Sequence, residues 1–188
     1  MRKLLILSLL ALSSGAYAKT IKWYKGTVVL SDERVLVGDI SLEPAHDLIL
    51  IRTGNAVKVY TAYKIKSFNF YDVEQHINRK FLTLKDEETA KIPSHIYEVV
   101  LRGKATILRQ PKSGFEQENN SSPLKNFNYY VRLDNHLVNI AQFRRAVFPV
   151  LLQSHTDQII TFIYQHNLNP NIQDNAIKII EFYNSQEN

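Results

Sequence analysis

Between Gly26 and Asp72 the chain alternates short Val/Leu/Ile runs with turn residues, and this pattern restricts the stretch to a meander of short strands. In Arg34–Leu42, Leu36, Ile40 and Leu42 share one face with Gly38 between the first two. Val35, Val37, Asp39 and Ser41 take the other face, as expected where a sheet is half buried. A glycine inside such a strand predicts a bend or a close approach of backbones. The breaks are Ser31-Asp32-Glu33, Glu43-Pro44-Ala45-His46 and Thr53-Gly54-Asn55. Asp supports such turns by bonding nearby backbone, and Gly and Asn tolerate positive φ. Asp47–Arg52 is apolar on both faces, which places it centrally. Val57–Thr61, one helical turn at Ala62-Tyr63-Lys64 and Ile65–Tyr71 complete the five-strand unit.

That order of elements resembles SH3-like and Sm-like small barrels, and the resemblance implies a curled five-stranded sheet; a plain antiparallel meander fits the same pattern. Beyond it, Arg79–Lys85, Tyr97–Arg102 and Ala105–Gln110 read as strands, with an acidic turn at Asp86-Glu87-Glu88. Asn128–Leu133 and His136–Ile140 form a last hairpin. Pro111–Asn126 is rich in Asn, Ser, Pro and charge with little to bury, and reads as a mobile loop.

From Ala141 the apolar period lengthens from 2 to about 3.6 residues. Phe143, Ala146, Val147, Val150 and Leu151 mark a first helix, with a kink expected at Pro149. Ser154–Asp157 resembles a capping box opening a second, whose stripe is Ile159, Ile160, Ile163 and Tyr164. Asn169-Pro170 opens a third, carrying Ile172, Ala176, Ile179, Ile180 and Tyr183. The expected fold is therefore α+β, mainly β: an antiparallel meander or small SH3-like barrel, added hairpins and a three-helix tail. The tail, residues 141–188, is expected to pack on a β-rich domain spanning residues 19–140, because no single amphipathic helix buries its own stripe.

Met1–Ala18 has the three parts of a secretory signal peptide: basic Arg2-Lys3, apolar Leu4–Leu12 and a small-x-small site at Ala16-Tyr17-Ala18. Cleavage after Ala18 and a periplasmic or secreted destination follow as expectations. The apolar run falls short of the roughly 20 residues that span a bilayer. With no cysteine, neither a disulfide nor a lipid-bearing N-terminus can form. The signal-like segment, strand-rich body and tail ending in Glu181-Phe182-Tyr183-Asn184 resemble small exported β-rich proteins of unknown function from Bacteroidetes. The resemblance carries no catalytic signature and transfers no functional residue.

Nucleophile-elbow, P-loop, zincin and dinucleotide motifs are absent, so neither a cofactor nor a defined reaction is implied. Asp72-x-Glu74-x-His76 is the best spacing for metal-ligand chemistry, but a solvated loop leaving a strand explains it better, and no metal site is expected. His46-Asp47 reads as a turn contact. Charge is concentrated in Lys19–Gln110, with 15 Lys and Arg against 11 Asp and Glu. There Lys58, Tyr60, Tyr63, Lys64 and Lys66, beside Phe68, Phe70 and Tyr71, interleave cations with rings. Such a surface can hold sugars or anionic polymers. The expected partner is an anionic envelope polymer or another envelope protein, and export argues against nucleic acid. The expected role is a non-enzymatic binding or assembly module of the cell envelope. The alternative is a hydrolase of envelope polymers, whose paired carboxylates would meet only in space.

Overall fold

The computed structural model describes residues 21–85, 94–112 and 126–187. The signal-like segment, the acidic turn and most of the expected mobile loop lie outside them. Ten strands run in chain order: β1 Tyr24–Leu30, β2 Val35–Glu43, β3 Leu48–Thr53, β4 Ala56–Thr61, β5 Ile65–Asp72, β6 Ile77–Lys85, β7 Ser94–Leu101, β8 Thr106–Pro111, β9 Phe127–Leu133 and β10 His136–Asn139. They form one antiparallel sheet in the order β10-β9-β8-β7-β6-β5-β1-β2-β3-β4. The protein is thus α+β and mainly β.

The first five strands keep the element order read from sequence, including the single 3₁₀ turn Ala62–Lys64. They do not close into a barrel. The second edge of β5 is taken by β6, across the turn between Asp72 and Ile77, so the sheet stays open and continues through five more strands. Gly26 of β1 faces Gly38 of β2, each where another strand's backbone comes close. A Cβ on Gly26 would stand 2.3 Å from the Asn69 carbonyl oxygen, and one on Gly38 would stand 2.5 Å from that of Arg52. No side chain fits either gap. The sheet as a whole curls enough that the 3₁₀ turn Pro44–His46, between β2 and β3, meets β8.

Two apolar clusters share the inner face of this sheet. One joins Val28, Ile40, Ile49, Ile51, Phe68, Phe70, Phe81 and their neighbours within β1–β7. The other joins Ile107, Tyr129 and Val131 to the C-terminal helices through Phe143, Leu151, Ile159, Ile179 and Ile180. Strand pairing reaches into both ends of the segment expected to be a mobile loop. Pro111 pairs with Phe127 in register, and the Lys112 N–H donates to the Asn126 carbonyl, so both ends of 111–126 belong to the β8–β9 ladder.

The tail contains two α-helices rather than three. After a π-helical turn at Phe143–Val147 comes α1, Phe148–Gln165, and then α2, Gln173–Gln186. Pro149 lies in the first turn of α1, where its missing N–H is not needed, so it starts the helix instead of kinking it. The kink falls at His155, whose φ of −141° breaks the helical path inside α1. The Thr156 hydroxyl turns back to the Leu152 carbonyl there, so Ser154–Asp157 does not open a separate helix. Ala146, Val150, Ile160, Tyr164 and Ile172 were expected inside and are exposed. The buried positions Phe143, Val147, Leu151 and Ile159 follow a narrower line of four-residue steps and their multiple. Asn169 caps the Asn171 N–H in the turn before α2, which starts three residues later than Pro170 implied.

Candidate functional site

Where the two apolar clusters meet, three charged residues stand in register on adjacent strands. Glu98 of β7 faces Arg109 of β8 and, on its other side, Phe81 of β6, one step along the same face from Arg79. Arg79 grips Glu98 with two parallel bonds, Nε to Oε1 at 2.8 Å and Nη2 to Oε2 at 2.7 Å. Arg109 adds Nε to Oε2 at 2.8 Å. Asp72 of β5 stands behind, its Oδ2 3.5 Å from Arg79 Nη1 and its Oδ1 accepting the N–H groups of Glu74 and Gln75.

Burial drives the Glu98 carboxyl toward its neutral form, but the hydrogen bonds and charges of Arg79 and Arg109 outweigh it and hold its pKa below the usual carboxylate range. Burial likewise disfavours both guanidinium charges, and Glu98 overcomes it at each, so both arginines are raised. Aromatic faces complete the setting. The Arg79 guanidinium lies 5.7 Å from the Phe70 centroid and 5.3 Å from that of Phe81, and the Arg109 guanidinium lies 4.3 Å from Phe127. Tyr24 stacks on Phe70 at 4.6 Å.

A cavity of about 440 Å³ opens onto this group. Its buried surface is Phe70, Phe81, Ile96 and Glu98, its side wall carries Arg109 and Phe127, and exposed Ile21 and Lys22 with half-buried Glu43 and Pro44 form its rim. The size and the mixture of rings with a few directed polar groups are those of a small-molecule site. The wall holding Pro44 is clamped to the wall holding Ile96 by Asp47. This residue ends the 3₁₀ turn with φ 49°, accepts the Ile96 N–H at 2.8 Å and lies 2.7 Å from His95 Nδ1. The acid read as a turn contact of His46 is therefore a cross-sheet clasp to a different histidine.

None of the known protein families, curated proteins or solved structures compared with this chain matches it.

The residues singled out by sequence lie elsewhere. Lys58 is exposed on β4, the terminal strand of the sheet, and a lysine there also blunts an edge against unwanted pairing. Tyr60 packs on the inner cluster while Tyr63 is exposed, with Lys64 Nζ 5.6 Å from its ring. Lys66 is tied to Glu33 at 2.7 Å. Phe68 and Phe70 are core, and Tyr71 is half exposed. In the Asp72-x-Glu74-x-His76 stretch, Asp72 turns to Arg79 and Glu74 to Lys22 at 2.7 Å, so the three side chains do not form one ligand set.

Arg79, Glu98 and Arg109 went unread in the sequence because each is one charge in a different strand. The available signal was a charged residue at an inward position in three successive strands.

Proposed function

We propose that this chain is an exported, non-enzymatic binding module of the cell envelope, and that its ligand seat is the cavity bounded by Phe81, Ile96, Glu98, Arg109 and Phe127. The single observation that carries the reading is the cavity itself: aromatic walls and a fixed ion cluster lining one space where two apolar clusters meet. A structural ion cluster alone needs no room beside it. Export is supported by the tripartite Met1–Ala18 pattern. For the hydrolase alternative, Glu43 and Glu98 both line the cavity, but Glu98 is held ionised by two arginines, the opposite of what a general acid needs.

The test is displacement of a fluorescent amphiphile, 8-anilinonaphthalene-1-sulfonate, from the mature protein by a panel of small apolar and amphipathic molecules. Ile96→Trp, which fills the cavity, is expected to abolish binding. The triple change of Lys58, Lys64 and Lys66 to Ala is expected to leave it intact, because none of these side chains lines the cavity. Loss of binding in the triple variant with retention in Ile96→Trp would move the site to the lysine surface and to an anionic envelope polymer.

A further inference from the structure

The charges in the cavity wall satisfy one another. Arg79 gives Nε and Nη2 to Glu98 and turns Nη1 to Asp72. Arg109 gives Nε to the same Glu98 carboxylate and also bonds the side chain of Tyr129, its register partner across β8 and β9. The two guanidinium groups and the two carboxylates, Glu98 and Asp72, bring this cluster to zero net charge. Rings lie over the guanidinium groups, Phe70 and Phe81 at Arg79 and Phe127 at Arg109. On the rim, Lys22 reaches Glu74 at 2.7 Å, and Glu43 has a partner of its own. Among the described residues, every charged side chain lining the cavity is therefore already engaged.

Resting on the cavity reading above, we infer that the ligand is an uncharged, largely apolar molecule, held by Tyr24, Phe70, Phe81, Ile96 and Phe127 and by no ion pair. An ion entering this space would leave water and meet no free counter-charge, a loss that apolar contact does not offset. It could gain a partner only by breaking a bond to Glu98, which would leave a half-buried charge in the wall under the same penalty. Lys22 and Glu74 are paired in solvent, where a further ion pair is worth little. The lowered Glu98 and the raised arginines report the same closure, since each charge is stabilised by its neighbours in the wall. The rings thus select for apolar surface, and the closed cluster selects against charge.

The experiment compares naphthylmethanol, naphthoate and naphthylmethylammonium, which share a body and differ in the charge of the head, on the mature protein at neutral pH. Competition is read against an uncharged fluorophore, N-phenylnaphthylamine, so that the charge of the probe does not enter the comparison. Wild type is expected to bind the alcohol about tenfold or more tightly than either ion. Glu98→Gln takes the shared carboxylate from both arginines and leaves the cluster with a positive excess, so it should turn the preference to naphthoate. Arg109→Gln leaves a negative excess, should turn the preference to the ammonium, and serves if the Glu98 variant does not fold. Wild type binding either ion as tightly as the alcohol would overturn the uncharged assignment and leave the cavity reading standing, as would variants that keep the wild-type preference. Binding of none of the three, or binding that survives Ile96→Trp, would overturn both.

Discussion

Glu98 concentrates most of what the site asks of single residues. It is 7% exposed and bonded by two arginines, so removing its charge leaves two half-buried guanidinium groups without their shared carboxylate. Glu98→Gln is expected to cost about 3 kcal/mol in urea unfolding at neutral pH. The sign with pH follows from its lowered pKa: the stabilisation is complete above the unfolded glutamate value and fades as pH falls through the lower folded value. The stability gap between wild type and Glu98→Gln should therefore close in acid, and a gap independent of pH from 7 down to 3 would refute the ionic account. In the other cluster Ile179 is fully buried, whereas Ile163 is only half buried. Ile179→Ala should cost about 2–5 kcal/mol, and Ile163→Ala distinctly less.

At the scale of elements, the helical tail is held to the sheet by a polar anchor as well as by apolar packing. The buried Asn184 side chain of α2 accepts the Ala105 N–H at 2.9 Å and donates to the Ala105 carbonyl at 2.8 Å. Gly103, at the start of that hairpin, must lack a Cβ, because one would stand 2.2 Å from the Asn184 side chain. Gly103→Ala is expected to destabilise by about 1–3 kcal/mol and to add little once Asn184→Ala is already present. Additive losses in that double-mutant cycle would disprove the anchor. The hairpin was legible from Gly103-Lys104 in the sequence. Its partner was not, since Asn184 lies 79 residues further along the chain from Ala105.

At the scale of the molecule, β8–β10 and the helices share one apolar cluster, so the tail is part of the core that completes the sheet. A chain ending at Ile140 should expose Ile107, Tyr129 and Val131 and lose the cooperative unfolding transition of the full chain. An unchanged melting curve would contradict it. Export belongs to this scale too: N-terminal sequencing of the protein from its native host is expected to begin at Lys19, and recovery of an intact Met1 would end the idea.

Local periodicity by itself determined the ten strands of the described residues, the turns joining the first five, the single helical turn before β5 and the switch to helix after Ile140. These depend on side-chain alternation and turn chemistry between near neighbours, which the order of residues records directly. It left closure open between barrel and meander and misjudged the helix count, because both depend on competition. The β5 edge could close a barrel or accept β6, and Thr156 could open a helix or bend one. The cavity was decided by tertiary structure alone. Arg79, Glu98, Arg109, Phe127 and Asp47 each look unremarkable in their own segments. Only strand register and the curl of the sheet bring them within reach of one another, and a sequence does not contain distances between strands that are far apart along the chain.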